Sequence, residues 1–218
     1  MSEQKKYEFT GEIKTIFGIE FKQIRAIVNF GCMVAGETGG WIESEENLSQ
    51  SGNAWVSGNA RVYGNARVYG NARVYGNAEV SGNARVSGDA WVSGNARVSG
   101  DAKVYGNAEV YGNARVYSNA RVYGNAEVSG NARVSGDAEV KKDDDYMVVG
   151  GAGRYNRFTT FFKCRDKTIK VVCGCFFGTI IEFRAKVKET HKGNKHEKVY
   201  LAMADMAELQ IGNDEVEK

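Results

Sequence analysis

The stretch SGNAWVSGNARVYGNARVYGNARVYGNAEV, residues 51–80, opens a six-residue repeat that continues without insertion to Val140. The repeat has fifteen units, with alanine at every sixth position from Ala54 to Ala138 and valine at every sixth position from Val56 onward. Because side chains alternate along a β-strand, the alanine and valine of A-x-V-(Y/S) point to one side and the variable residue points to the other. The Gly-Asn or Gly-Asp pair that follows is typical of a corner, since these residue types tolerate left-handed backbone. The repeat therefore predicts short strands joined by tight corners.

Short strands at a fixed six-residue period predict a parallel β-helix, in which successive coils stack and bury one continuous core. The competing interpretation is a series of β-hairpins. Hairpin turns favour Asn-Gly over the Gly-Asn order of this repeat, and strands of about four residues do not form an independently stable meander. The β-helix is therefore favoured. Ser118 replaces the corner glycine in one unit.

The repeat resembles the hexapeptide-repeat family of left-handed parallel β-helices. The family's aliphatic-x-x-x-small-x unit matches Val-Tyr-Gly-Asn-Ala-Arg here, for example at Val62 and Ala66. By this resemblance three hexads make one coil of a triangular prism, so the fifteen hexads give five regular coils of 18 residues. At a strand spacing of about 4.8 Å these coils span roughly 24 Å. The resemblance also implies trimers packed side by side, although a monomer is an open alternative.

Residues 1–50 are expected to form an N-terminal β-hairpin cap, because a stack of coils needs its end strands covered. The segments YEFTGEIKTI and IEFKQIRAIVNF indicate a hairpin, and Gly36–Gly40 leads through WIESEENLSQ into the first coil. The segment Ile24–Val56 resembles the start of many bacterial and phage hexapeptide-repeat proteins, including uncharacterised enterobacterial proteins described as acetyltransferases.

After the repeat, the run KKDDDY predicts a solvated linker over residues 141–153, with the glycine-rich Val148–Gly153 as a flexible entry to a small α+β domain over residues 154–218. The segments RFTTFFKC and KTIKVVCGCFF predict strands, and TIIEFRAKVKETH predicts a third strand or a helix. The segment Arg154–Ile211 resembles a small α+β domain found in phage and gut-bacterial proteins.

A helix is predicted from about Glu197 to Ile211, with Asn194 and Glu197 as a capping pair. A mostly apolar face is predicted from the helical spacing of Val199, Met203, Met206 and either Leu209 or Gln210.

Composition excludes several classes of protein. The chain has 29 Lys and Arg against 27 Asp and Glu, a formal charge of +2, which gives no reason to expect a general nucleic-acid coat. It has no proline, and no stretch approaches the ~20 apolar residues of a membrane span. Four cysteines are too few for a disulfide framework and fit a reducing compartment. We expect a soluble protein of the bacterial cytoplasm, which is the host cytoplasm if the protein is phage-encoded.

The variable residues of the repeat sort into three columns, because every third hexad returns to the same face of the predicted prism. The first column is Trp55, Arg73, Trp91, Glu109 and Glu127, and the second is Arg61, Glu79, Arg97, Arg115 and Arg133. The third column is Arg67, Arg85, Lys103, Arg121 and Glu139, flanked by Tyr69, Tyr105 and Tyr123. Neighbours in a column are expected about 4.8 Å apart, so Arg73 is expected between two indoles in a cation–π stack.

Four consecutive cations in the third column are unusual, because like charges on neighbouring strands destabilise a sheet. The candidate binding residues are therefore Arg67, Arg85, Lys103, Arg121, Tyr69, Tyr105 and Tyr123. Secondary candidates are Trp55, Arg73, Trp91, Arg154, Arg157 and His191. The alternative is that solvated arginines splay apart and keep the face soluble.

The favoured function is a non-enzymatic interaction or scaffold protein, phage-encoded by resemblance, that presents the rigid β-helix surface and the C-terminal domain to a host or viral macromolecule, with a protein as the expected partner. Inhibition of a host defence system would be one such role. A second hypothesis is an acyltransferase using acyl-coenzyme A, although the repeat has neither a histidine nor a donor-binding loop. A third is capture of a small anionic ligand such as a nucleotide. No catalytic residue, cofactor or membrane partner is predicted.

Two further motifs point to chemistry only weakly. The cysteines Cys164, Cys173 and Cys175 with His191 and His196 could be read as a zinc site, but their spacing favours buried thiols and exposed imidazoles, so no metal is expected. The glycine group at Val148–Gly153 lacks the Lys-Ser/Thr of a phosphate-binding loop.

Overall fold

The computed structural model describes residues 5–153 and 156–212, and these residues form a mainly β protein. The N-terminal elements are β1 (Tyr7–Ile16), β2 (Ile19–Ala26), β3 (Thr38–Ile42) and a 3-10 helix at Glu45–Asn47. The repeat forms two-residue strands, which are β4 (Trp55–Val56), β5 (Arg61–Val62), β6 (Arg67–Val68), β7 (Arg73–Val74), β8 (Glu79–Val80), β9 (Arg85–Val86), β10 (Trp91–Val92), β11 (Arg97–Val98), β12 (Lys103–Val104), β13 (Glu109–Val110), β14 (Arg115–Val116), β15 (Arg121–Val122), β16 (Glu127–Val128), β17 (Arg133–Val134) and β18 (Glu139–Val140). A second 3-10 helix (Asp143–Asp145) precedes β19 (Tyr146–Ala152), β20 (Arg157–Lys163), β21 (Ile169–Cys173), β22 (Phe176–Thr179), α1 (Ile180–His191) and α2 (Lys195–Ile211).

Every third strand of the repeat pairs in parallel, so the repeat forms a three-faced β-solenoid. Face 1 consists of β4, β7, β10, β13 and β16; face 2 of β3, β5, β8, β11, β14 and β17; and face 3 of β6, β9, β12, β15 and β18. The hairpin interpretation of the repeat is therefore wrong. A bridge between Leu48 and Val68, together with the pairing of β3 and β5, adds a partial coil before the five regular coils. The predicted fold class, a parallel β-helix with an N-terminal β cap and a small C-terminal α+β unit, is confirmed; the exact domain limits stay predictions.

The repeat's alanines and valines form the core of the solenoid. Every one from Ala54 to Val140 has no exposed surface, as the strand alternation predicts. The corners use left-handed backbone: Gly88 has φ +68°, and a Cβ at this position would lie 2.9 Å from the amide nitrogen of Gly106 in the next coil. Ser118 adopts the same conformation with φ +61°. Coils therefore approach one another most closely at the corners.

Hydrogen bonds between coils give the solenoid a direction. The N–H of Trp55 donates to the carbonyl of Ala72 in the following coil at 3.0 Å, and the N–H of Ser57 donates to the carbonyl of Val74 at 2.9 Å. The same bonds recur along the stack. At these positions the carbonyls of the first coil have no preceding coil to donate hydrogen bonds to them. The N–H groups of the last coil have no following coil to accept hydrogen bonds from them.

The corner asparagines form ladders along the outside of the solenoid. Each Nδ2 donates to the Oδ1 of the next side chain at 3.2–3.3 Å along the column Asn59, Asn77, Asn95, Asn113 and Asn131. In the other two columns, Asp89 and Asp101 accept from the preceding asparagine at 3.0 and 2.9 Å. A carboxylate has no N–H group, so each of these ladders is interrupted at its aspartate. Beyond Asp89 the first of them resumes, with Asn107 donating to Asn125 at 3.0 Å.

Lys6 closes part of the N-terminal end of the solenoid. Its side chain is 3% exposed and its Nζ donates to the carbonyls of Ala54 at 2.8 Å and Gly52 at 3.2 Å. The ammonium also lies 5.0 Å from the ring centroid of Phe30. Burial lowers the pKa of Lys6 to about 8. Lys6 therefore supplies donors that a preceding coil would otherwise provide.

Asn47 closes the neighbouring part of the same end. This fully buried residue ends the first 3-10 helix, and its Nδ2 donates to the carbonyls of Gly64 and Ala66, both at 2.9 Å. Its Oδ1 accepts from the N–H of Ser44 at 2.9 Å. The N-terminal cap thus binds the solenoid through donated hydrogen bonds.

The C-terminal end receives acceptors instead. Asp143 Oδ1 accepts from the N–H of Glu127 at 2.8 Å, and Thr160 Oγ1 accepts from the N–H of Arg133 at 3.0 Å. These bonds satisfy N–H groups of the last coil that have no following coil.

The prediction of a solvated linker over residues 141–153 is wrong. The run of aspartates forms a 3-10 helix, and Asp145 is only 5% exposed because its Oδ2 accepts the N–H groups of Lys141 at 2.8 Å and Lys142 at 3.0 Å. The glycine-rich stretch continues as β19, which pairs with β20. Charge alone suggested solvent exposure, whereas backbone N–H groups near the solenoid end hold the carboxylate inside.

The C-terminal unit is an antiparallel sheet in the order β19, β20, β21 and β22, with α1 and α2 packed against it. Asn194 caps α2 as predicted, accepting from the N–H of His196 at 2.8 Å. The predicted apolar face of α2 is confirmed at Met203, which is buried, and wrong at Val199, Met206 and Leu209, which are exposed. The other buried residues of α2 are Tyr200, Ala204, Ala207 and Ile211. Small alanines let α2 lie close to the sheet. Neither helix among the described residues is long and apolar enough to cross a membrane.

Candidate functional site

Face 3 brings the four predicted cations into one column. Arg67 pairs with Arg85, Arg85 with Lys103, and Lys103 with Arg121, in parallel register, and Glu139 follows Arg121. Glu46 approaches Arg67 at 4.0 Å. Within the described part of the chain, no carboxylate oxygen lies within 4.0 Å of the side-chain nitrogens of Arg85, Lys103 or Arg121. Three neighbouring cations of this column are therefore uncompensated by ion pairs.

Face 2 has a different arrangement of cations and carboxylates. Glu79 lies between Arg61 and Arg97 in the column, forms an ion pair with Arg61, and lies 3.7 Å from Arg97. The Arg61 and Glu79 side chains are only 22% and 16% exposed. Glu79 thus separates Arg61 from the in-register arginines Arg97, Arg115 and Arg133, of which only Arg97 forms an ion pair among the described residues. Face 3 has four cations in succession before Glu139.

Face 1 contains only part of the expected stack, in which Arg73 would lie between the indoles of Trp55 and Trp91. The guanidinium of Arg73 lies 5.6 Å from the ring centroid of Trp91, which is 39% exposed. Trp55 is buried instead, with its ring 6.4 Å from Tyr7 and 5.4 Å from Phe30. Trp55 therefore serves the packing of the N-terminal cap and is removed from the accessible surface.

The tyrosines beside the cation column form an aromatic edge on face 3. Tyr105 and Tyr123 stack with centroids 4.9 Å apart and planes 5° apart, and Tyr69 is 40% exposed. Burial, and the charge and hydrogen bond of the neighbouring Glu139, raise the pKa of Tyr123. Exposed and stacked tyrosine rings thus border the cation column.

A groove of about 430 Å³ runs along the middle of face 3. It is lined by Asn83, Arg85, Asp101, Lys103, Asn119, Arg121, Asp137 and Arg165. Arg165 comes from the C-terminal unit, and its guanidinium binds Asp137 Oδ1 at 2.7 Å. No sequence pattern pointed to Arg165, because its position depends on how the C-terminal unit packs on the last coil through the bridge between Ala138 and Cys164.

The secondary candidates Arg157 and His191 converge in the C-terminal unit, far from each other in sequence. Both line a cavity of about 310 Å³, together with Ala152, Gly153, Cys173, Phe176, Phe183, Lys186, Val187, Thr190 and Tyr200. The ring of His191 stacks on Tyr200 with centroids 5.4 Å apart. Arg154 lies outside the described residues.

Of the cysteines and histidines considered for a zinc site, Cys173 and His191 line the same cavity. Among the described residues, no group of three or more His, Cys, Asp and Glu side chains is arranged to hold a metal ion. Cys164 is buried, which raises its thiol pKa to about 11, while Cys32 and Cys175 are exposed. Cys173 accepts a hydrogen bond from Thr159 Oγ1 at 3.2 Å.

Three parallel sheets, a buried column of alanine and valine, and corner ladders define this chain as a β-solenoid repeat protein. The family described as the YdcK beta solenoid repeat matches residues 54–69, 66–80, 78–94, 90–106 and 120–136. These matches lie within the solenoid and cover about a third of the chain. A comparison with curated proteins gives no match.

Proposed function

We propose that this protein is a non-enzymatic interaction protein whose face 3 binds an acidic surface of a partner protein. The observation that carries the proposal is the in-register column Arg67, Arg85, Lys103 and Arg121. Like charges at this spacing repel one another and weaken the sheet, so the column is destabilising in the free protein. An anionic partner would relieve that repulsion.

The rigidity of the solenoid favours a partner with regularly spaced carboxylates. The coils hold the cations about 4.8 Å apart, so the four-residue column spans roughly 14 Å. An α-helix with acidic residues at i, i+3, i+7 and i+10 spreads them over about 15 Å at 1.5 Å per residue. An extended strand presents same-side residues about 6.8 Å apart and would need roughly 20 Å. The spacing therefore favours an acidic helix.

The groove beside the column extends this surface. Arg165 adds a cation from the C-terminal unit, although Asp137 partly neutralises it at 2.7 Å. The stacked pair Tyr105 and Tyr123 offers an aromatic surface that can pack against the stem of a glutamate side chain. A phage-encoded inhibitor of a host defence protein would be one protein of this kind.

The test compares two triple variants with the same change in charge. The first replaces Arg85, Lys103 and Arg121 by serine on face 3, and the control replaces Arg97, Arg115 and Arg133 by serine on face 2. The ligand is a labelled helical peptide with glutamates at i, i+3, i+7 and i+10, measured by fluorescence anisotropy at two salt concentrations. We expect the face 3 variant to lose at least tenfold in affinity, on the basis of roughly 0.5–1 kcal/mol for each exposed charge pair, and the face 2 variant to lose much less.

Two controls decide the outcome. A peptide of the same composition with scrambled glutamate spacing should bind several-fold more weakly than the regular one. Equal losses in both triple variants, or tighter binding of a single-stranded oligonucleotide than of either peptide, would overturn the assignment of an acidic helix to face 3. Thermal unfolding of both variants should occur at or slightly above the wild-type temperature, because the substituted side chains lie on the solvent side of the strands and their removal relieves repulsion within each column.

A further inference from the structure

The cavity in the C-terminal unit has an aromatic floor. Phe183 and Tyr200 are buried, with exposures of 3% and 7%, and their rings meet edge to face with centroids 5.9 Å apart. Phe176 contacts Phe183 with centroids 5.5 Å apart. His191 stacks on the Tyr200 ring and completes one wall. Such a floor suits a flat apolar group.

The polar part of the lining includes two cations. Arg157 and Lys186 line the cavity together with Thr190 and His191, and none of the described residues that line it is acidic. Lys186 also forms an exposed ion pair with Glu189 at 2.8 Å on the same helix. Ligand sites commonly combine an apolar floor with a few convergent polar groups in this manner.

Two glycines let Tyr200 and Arg157 come close to the backbone. Gly153 lines this cavity, and a Cβ there would overlap the Tyr200 hydroxyl oxygen. Gly174 lines the neighbouring groove that Arg157 also borders, and a Cβ there would overlap a guanidinium nitrogen of Arg157. Both glycines have positive φ, +70° and +61°. The packed positions of Tyr200 and Arg157 therefore depend on residues without side chains.

From this arrangement we infer that the cavity is a binding site for a small aromatic anion, a planar ring carrying a carboxylate or phosphate. The ring lies on Phe176, Phe183 and Tyr200, and the anionic group faces Arg157 and Lys186. The volume, about 310 Å³, is at the small end of the roughly 300–1,000 Å³ typical of ligand pockets, which favours a single ring over a dinucleotide. The site lies outside face 3 and does not depend on the function proposed for it.

The first experiment measures binding of phenyl phosphate and benzoate by calorimetry, with benzyl alcohol as the uncharged control. The variants are Arg157→Gln and Lys186→Gln, and the matched control is Lys188→Gln, which removes the same charge from α1 outside the cavity. We expect each cavity variant to weaken anion binding about tenfold, as for hydrogen bonds to charged groups, and Lys188→Gln to change it less than twofold. Thermal unfolding of each variant checks that the fold is retained.

A second readout locates the ligand on the wild-type chain. Iodoacetamide labelling followed by mass spectrometry should show phenyl phosphate protecting Cys173, which lines the cavity, while the exposed Cys32 and Cys175 react at unchanged rates. The inference is overturned if no probe binds, if benzyl alcohol binds as tightly as the anions, or if Lys188→Gln weakens binding as much as Lys186→Gln. The triple serine variant of face 3 should keep this binding, so the two proposals fail separately.

Discussion

At the N-terminal end of the solenoid a 3-10 helix ends in Asn47, and at the C-terminal end a second 3-10 helix ends in Asp145. Both side chains turn back to accept an N–H three residues earlier, from Ser44 at 2.9 Å and from Lys142 at 3.0 Å. Only Asn47 also donates, to two carbonyls of the first regular coil. The same local structure thus carries an amide where the coil exposes carbonyls and a carboxylate where the coil exposes N–H groups.

This difference teaches that the direction of the inter-coil hydrogen bonds selects the chemistry of each cap. An end rich in carbonyls needs donors, which Lys6 and Asn47 supply, and an end rich in N–H groups needs acceptors, which Asp143 and Thr160 supply. The charges agree with this polarity, since an ammonium lies at the carbonyl end and a carboxylate at the N–H end.

The largest effect is expected from Asn47→Asp. This change removes two donated hydrogen bonds in a fully buried position and points a carboxylate at two carbonyl oxygens. We expect the free energy of unfolding to fall by about 3–5 kcal/mol, measured by urea denaturation at pH 7.

The matched control for that variant is Asn131→Asp on the corner ladder. Asn131 accepts a hydrogen bond from Asn113 Nδ2 at 3.3 Å, and a carboxylate can still accept it. Its effect should stay within about 0.5 kcal/mol, as for ordinary surface positions. If Asn47→Asp were equally mild, the donor requirement at the N-terminal end would be wrong.

An intermediate effect on the free energy of unfolding is expected from a change in pH, through the protonation of Lys6. Its pKa is about 8 in the folded protein and 10.5 ordinarily, so between these values the unfolded chain keeps a proton that the folded chain has released. The free energy of unfolding therefore rises with pH across this window. We expect the advantage of the wild type over Lys6→Met to grow by on the order of 1 kcal/mol from pH 8 to 10.5, after allowance for solvent screening.

Urea denaturation of the two proteins at four pH values in this window measures the change. Subtracting the Lys6→Met curve removes the contributions of the other lysines and tyrosines. The difference in free energy of unfolding between the wild type and Lys6→Met could instead stay constant or decrease as pH rises. That result would show that the hydrogen bonds to the carbonyls of Gly52 and Ala54 stabilise the ammonium more than its burial destabilises it.

An effect no larger than that of Lys6 is expected from Asp145→Asn. An amide oxygen can still accept an N–H bond, so the variant loses the charge-assisted part of the bonds from Lys141 and Lys142, together with the ion pair in which Lys163 Nζ lies 4.0 Å from Asp145 Oδ1. The expected loss is about 1 kcal/mol by urea denaturation. A loss as large as that of Asn47→Asp would erase the distinction between the two ends.

The solenoid could be predicted from the sequence because its period is constant. An unbroken six-residue repeat fixes which residues share a face, and the pairing of Arg67 with Arg85 and of Arg61 with Glu79 follows from that count. The caps could be predicted only in outline, since the roles of Lys6, Asn47 and Asp145 depend on contacts with coils that are distant in sequence.

The C-terminal unit shows where sequence patterns mislead. The helical spacing of Val199, Met206 and Leu209 indicated a buried face, but Ala204 and Ala207 are buried instead because small side chains allow close packing. The convergence of Arg157, Cys173 and His191 in one cavity had no local signal, because three different elements bring these residues together.

The 18-residue coil also determines how this molecule could change in length over evolution. Deleting or duplicating 18 residues within the repeat would leave every column on its own face and move the C-terminal unit along the axis by about 4.8 Å. An insertion or deletion of six residues would instead move every later residue of the repeat to a neighbouring face. Arg165 would then be separated from the cations of face 3. Gene duplication in whole coils can therefore adjust the distance between the two caps without altering the surface that each face presents.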